Sequence, residues 1–199
     1  MPNRKTLIDD LINALTCLPG VGKKTAQRMT YHLLQRAKDD ALNLSDVLKE
    51  VVTSTVNCKL CRNLSQENIC DLCSDDGRDN SMLCIVESPA DVFNMENSTN
   101  YNGKYFVLLG KLSPLDGIGP KEIGLDILED KISSRVVSEL ILAVNYTVES
   151  DVTAHVISEI ALKNSIKVTR LAQGVPVGGE LEYLDQYTLS KAFDKRTVY

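Results

Sequence analysis

Met82-Leu83-Cys84-Ile85-Val86-Glu87-Ser88-Pro89-Ala90-Asp91 is the stretch on which the fold turns. Its first five side chains are apolar and do not alternate as those of a strand with one wet face do. The run therefore predicts a β-strand buried on both faces. Three more such runs follow: Tyr105-Phe106-Val107-Leu108-Leu109, Glu139-Leu140-Ile141-Leu142-Ala143-Val144 and Ile166-Lys167-Val168-Thr169-Arg170-Leu171. Helices are expected between them, near residues 121–132 and 151–164. Buried strands alternating with helices imply an α/β domain with a mostly parallel sheet flanked by helices, here over residues 80–174. The tail, 175–199, has glycines and little periodicity.

Just upstream the chain changes character. Residues 56–79 are polar and poor in apolar side chains, too poor to fold on their own hydrophobic burial. They carry Cys58-Lys59-Leu60-Cys61 and Cys70-Asp71-Leu72-Cys73. A two-residue gap lets both sulfurs of a pair converge on one ion, and two pairs complete a tetrahedral thiolate shell. Four thiolates leave no position open for water, so Cys58, Cys61, Cys70 and Cys73 predict one structural zinc ion in a small zinc finger. Metal binding supplies the folding free energy that the segment lacks. The alternatives are a redox dithiol pair or an iron–sulfur cluster; redox chemistry favours a strand-to-helix junction, and these pairs lie in a polar loop. The remaining cysteines, Cys17 and Cys84, stand in apolar surroundings and are expected to be buried as small hydrophobes.

Residues 1–55 read as all-helical. Leu7, Ile8, Leu11, Ile12 and Leu15 fall at helical spacing over 6–16. A second helix is expected over about 24–38, with Ala26, Met29, Tyr31, Leu33 and Leu34 as its apolar contacts. A third is expected over about 44–55, with Ser45 as N-cap. The first two are joined by Leu18-Pro19-Gly20-Val21-Gly22. The net charge of the chain is -5, yet residues 18–38 hold Lys23, Lys24, Arg28, Arg36 and Lys38 and no acid. Gly20 and Gly22 let backbone amides approach a phosphate, and the helix N-terminus with Lys23, Lys24 and Arg28 adds positive charge. Such parts hold a nucleic-acid backbone without reading bases, so the expected ligand is DNA of any sequence. A packing element with a solvated basic face is the alternative. With 43% hydrophobic residues the chain builds a globular core, and no apolar run is long enough for a membrane span. Residues 1–10 place acids where a signal peptide has its apolar region, so a cytoplasmic protein is expected.

Ile85-Val86-Glu87-Ser88-Pro89-Ala90-Asp91 resembles the first motif of Toprim domains, found in topoisomerases and primases. In those enzymes a second strand ends in an Asp-x-Asp pair whose carboxylates hold Mg²⁺. The corresponding stretch here runs from Leu142 to Asp151, and Asn145 and Thr147 replace the two aspartates. An amide and a hydroxyl are poor substitutes for two anions around a hard cation, so a non-catalytic domain is expected.

The order of helix-hairpin-helix, four-cysteine site and Toprim domain is similar to that of the RecR family of bacterial recombination mediators. The resemblance spans nearly the whole chain and is most specific over residues 18–29, 112–120 and 174–182. Departures are Tyr146, Ser150 and Asp151, where the family tends to have Pro, Gly and Glu, and Lys111, where a histidine is common. The resemblance implies a mediator that acts with RecO and RecF to help load recombinase onto single-stranded DNA. It also implies a homodimer or a ring-like homotetramer. Glu87, Glu149 and Asp151 are acids kept without a metal site, and the expectation is that they dock a basic protein partner. The rival reading is a Mg²⁺-dependent Toprim nuclease or primase using the same three acids. An ATPase of the Walker type is excluded, because no Gly-x-x-x-x-Gly-Lys-Ser/Thr occurs.

Overall fold

The computed structural model describes residues 6–196; part of the N-terminal stretch read for targeting, and the end of the tail, lie outside the described residues. The chain forms two compact units, one ending at Thr55 and the other beginning at Val56.

The first unit is three helices, α1 (Leu7–Leu15), α2 (Lys23–Arg36) and α3 (Lys38–Ser54). Thr6 starts α1 with a reciprocal capping box to Asp9. The third helix begins six residues earlier than expected, and Ser45 lies inside it. Asp39 and Asp40 in its first turn suit the positive end of the helix dipole, which explains the early start without a side-chain cap. The expected contacts of α2 are corrected too. Its buried residues are Ala26 and Thr30, whereas Met29, Tyr31 and Leu34 are 39%, 43% and 37% exposed. No residue of α1 or α3 is buried. Cys17, expected inside, is exposed, because it lies in the turn beyond the apolar stripe of α1.

The second unit is built on four parallel strands: β3 (Asp79–Val86), β4 (Gly103–Val107), β5 (Glu139–Ala143) and β6 (Lys167–Arg170), in the order β4-β3-β5-β6. Two short antiparallel strands, β1 (Val56–Asn57) and β2 (Leu64–Ser65), and a one-turn helix, α4 (Asp71–Ser74), precede them. Helices α5 (Pro89–Ser98), α6 (Leu125–Ser133) and α7 (Val148–Lys163) connect the sheet strands, and α8 (Gln186–Asp194) follows. The four strand predictions are met in position. Burial on both faces holds for β4 and for the Leu83–Val86 end of β3. It fails for β5, where only Leu140 and Leu142 are buried, and for β6, which has no buried residue and carries Lys167, Thr169 and Arg170.

One face of the sheet packs Leu83, Ile85, Phe106, Leu140 and Leu142 against Leu128, Ile132 and Ile157 from α6 and α7. The other face sets Cys84, Val86, Tyr105 and Val107 against Val92 of α5. Sequence reading missed α5 and α8. Both carry a legible start: Ser88 and Asp91 form a capping box with Pro89 in the first turn, and the Asp185 side chain accepts from the Thr188 amide. Among the described residues, no helix is long and apolar enough to cross a membrane.

Candidate metal centre and nucleic-acid interface

Cys58 and Cys61 lie in the turn between β1 and β2, Cys70 is the N-cap of α4, and Cys73 is in α4. Cys58, Cys61 and Cys70 are nearly inaccessible, at 1%, 1% and 6% exposure. The four sulfurs lie within 4.8 Å of one another, with Cys61 and Cys70 3.5 Å apart, and none is in a disulfide. A tetrahedral zinc ion with bonds of about 2.3 Å needs sulfurs about 3.8 Å apart, so the cluster fits that ion. Cys73 is the readiest to ionise: contact with the Cys61 sulfur draws its thiol down to about 6.

Cations from the sheet unit secure this knot. The Lys104 ammonium, on a side chain within β4, donates to the carbonyls of Leu72 at 3.1 Å, Cys73 at 3.1 Å and Asp75 at 2.7 Å. The Arg62 guanidinium reaches the carbonyls of Leu108 at 3.0 Å, Glu122 at 3.1 Å and Ile123. Gly124, with φ +75°, admits it, since a β-carbon there would collide with that guanidinium. Lys131 donates to the Leu60 carbonyl at 3.3 Å. Positive charge around a thiolate cluster offsets its net negative charge and holds its loops in place. These residues escaped sequence reading. The one legible signal was a lysine abutting an apolar run, at Lys104.

In the helical unit Gly20 turns the chain with φ +76°, and Gly22 is the N-cap of α2. Gly22 offers no side chain to the first-turn amides, and no acid stands in that turn. Lys23, Lys24 and Arg28 are exposed. Among the described residues none of the three forms an ion pair. First-turn amides without a side-chain cap, the positive end of a helix dipole and exposed cations are the combination that suits an anion.

The acids of the sheet unit are arranged differently. Glu87, at the end of β3, accepts from the Asn145 amide at 3.0 Å, its side-chain Nδ2 at 2.7 Å and the Ser150 hydroxyl at 2.5 Å. Thr147, the other residue in an aspartate position, caps α7 by accepting from the Ser150 amide. Glu149 pairs with Lys111 at 3.2 Å, and Asp151 with Arg170 at 2.8 Å. Arg170 also lies over the Tyr146 ring, 4.0 Å from its centroid. The three carboxylates do stand at the carboxyl ends of β3 and β5. Glu149 and Asp151 are not short of counter-charge, as sequence reading assumed, since Lys111 and Arg170 supply it, whereas Glu87 is held by neutral donors alone.

Family models match three consecutive stretches of the chain: the RecR helix-hairpin-helix at residues 8–52, a Toprim domain at 81–172 and the RecR C-terminal segment at 174–197. Recombination protein RecR of Methylococcus capsulatus is 55% identical over 189 residues, 95% of this chain and 96% of that protein. Those of Saccharophagus degradans and Alcanivorax borkumensis are 52% and 50% identical, over 96% and 97% of this chain and 96% of each relative. The chain belongs to the RecR family. The RecR helix-hairpin-helix model covers the hairpin with Lys23, Lys24 and Arg28, and the Toprim model covers the sheet with Glu87, Asn145 and Asp151. The four cysteines fall between these two matches, so the geometry of their sulfurs, not a model of the segment, carries the metal site.

Proposed function

We propose that this chain is a zinc-stapled, non-catalytic DNA-binding mediator of recombinational repair, acting with RecO and RecF to help load recombinase onto single-stranded DNA. The observation that carries the reading is the contrast between its charged surfaces. Among the described residues the cations of the hairpin form no ion pair, whereas Glu149 and Asp151 of the Toprim domain are paired within the chain. Cations held without partners on an acidic protein suit a polyanion bound through its backbone. Replacing Lys23 and Lys24 by Glu is expected to weaken DNA binding about equally for all sequences and to lower its salt dependence. Unchanged affinity and salt slope would leave the hairpin as a packing element.

The donor set argues against the Mg²⁺-dependent enzyme. A hard divalent ion needs clustered carboxylate oxygens, and Glu87 already accepts three hydrogen bonds from neutral donors. Glu149 and Asp151 are better suited to a protein partner. Their side chains are 48% and 51% exposed, and exposed ion pairs are worth only about 0–1 kcal/mol. A basic partner such as RecO can therefore replace Lys111 and Arg170 at little cost. Exchanging both acids for Lys is expected to abolish RecO binding while sparing the fold and the DNA affinity. Tight Mg²⁺ binding by calorimetry would restore the enzyme reading.

Self-association completes the proposal. Leu44, Val47, Leu48, Val51 and Val52 form one apolar stripe on α3, and all are 46–69% exposed. A helix with such a stripe is stable only when the stripe is covered. A second copy of this chain is the occupant proposed here, giving a homodimer or a homotetramer ring.

A further inference from the structure

The basic residues of α2 extend past the hairpin in a regular order. Lys24, Arg28, His32 and Arg36 recur at every fourth residue, so they lie in one row along the helix, about 6 Å apart. All four are exposed, on the side away from the buried Ala26 and Thr30. Among the described residues none of them forms an ion pair, and the next acids along the chain, Asp39 and Asp40, lie in the first turn of α3. A shallow groove of about 590 Å³ lies beside the last three of the row, and Met29 and Tyr31 line it together with Arg28, His32 and Arg36.

We propose that this face of α2 is a track for one unpaired strand of nucleic acid, with the row on successive phosphates and Tyr31 and Met29 against a base. The proposal rests on the DNA reading of the hairpin and adds His32 and Arg36 to it. A single strand fits better than a duplex for two reasons. The row winds about 40° around α2 at each step, a path that a flexible strand follows more readily than a stiff duplex. An aromatic ring and a thioether beside the cations are useful only to a base whose face is free, because stacking needs an open π-surface. The cations supply charge, the ring supplies stacking, and neither reads sequence.

The test measures binding of the full-length chain to a labelled oligothymidylate and to a duplex of equal length, by anisotropy across a salt series. His32→Gln with Arg36→Gln is expected to weaken single-strand binding about fivefold to tenfold and to lower its salt slope by about 0.7, while duplex binding stays within about twofold. Arg36→Lys keeps the charge and is expected to keep most of the affinity, which separates a phosphate contact from a loss of fold. Unchanged single-strand affinity of the double variant would overturn the track, and so would an equal loss on the duplex. The hairpin reading survives either result if the Lys23 and Lys24 exchange still weakens binding. Failure of the unaltered chain to bind either probe at low salt would overturn both.

Discussion

Single side chains decide how the metal knot is joined to the sheet. Lys104 is only 8% exposed, and its ammonium serves three carbonyls of the segment that holds Cys73. Lys104→Met keeps the stem and leaves those acceptors unpaired, which is expected to destabilise the protein by about 3 kcal/mol in denaturant titration. A change within experimental error would mean that water takes over the acceptors. Glu96 offers a test of a different kind. It receives Arg78 at 3.0 Å and the Tyr105 hydroxyl at 2.6 Å, and the Arg78 guanidinium holds its carboxyl below the ordinary carboxylate range. A depressed folded value means that the stabilisation is present above the unfolded value of about 4.3 and is lost as pH falls through the folded one. Glu96→Gln is thus expected to lower stability at neutral pH and to flatten the acid limb of the stability profile. Parallel profiles for the two proteins would contradict the assignment.

At the scale of elements, the segment from Val56 to Ser74 is two tiny strands and one helical turn, and none of these is stable alone. Its core is the cysteine cluster, with Leu72 as the one apolar side chain packed against it. Metal is expected at one zinc per chain by elemental analysis. Chelation is expected to open amide exchange across 56–79 before the sheet loosens. Cys70→Ala should lower stability by several kcal/mol, a fraction of the about 10–16 kcal/mol with which zinc binds such sites. An intact melting curve after complete removal of zinc would count against a structural role. The helix caps act on the same scale: Ser88→Ala removes one half of the box that starts α5 and is expected to cost about 1 kcal/mol.

For the whole molecule, the helical unit is the part with the smaller core. Its three helices bury two residues between them, and the Thr30 hydroxyl is buried without a hydrogen-bond partner. A unit so poor in core gains stability from assembly. Light scattering is expected to find a dimer or a tetramer. Val47→Glu with Val51→Glu, four residues apart on the exposed stripe of α3, is expected to shift the population to monomer and to reduce helix content. An unaltered mass would show that another surface joins the copies. The sheet unit, with its own two-faced core, is expected to melt independently of that change.

The sequence by itself determined what depends on near neighbours. Apolar runs located three strands and an alternating run the fourth, the two-residue gaps brought the paired thiols into one cluster, and Gly20 with Gly22 placed a turn ahead of an acid-free helix start. Even the missed helices α5 and α8 had readable caps. What only the tertiary structure decided depends on residues far apart in the chain. The order β4-β3-β5-β6 leaves both β4 and β6 at edges, yet β4 is buried throughout and β6 is not, so depth depends on what the rest of the chain lays over each edge. Crossover connections bring Lys111 to Glu149 and Arg170 to Asp151; they also carry Lys104 to the carbonyls of the metal knot and bring the carbonyls of Leu108 and Glu122 within reach of the knot's own Arg62. Periodicity records which face of an element turns inward. A charge's partner is set by the path of the chain between them, and no local pattern contains that path.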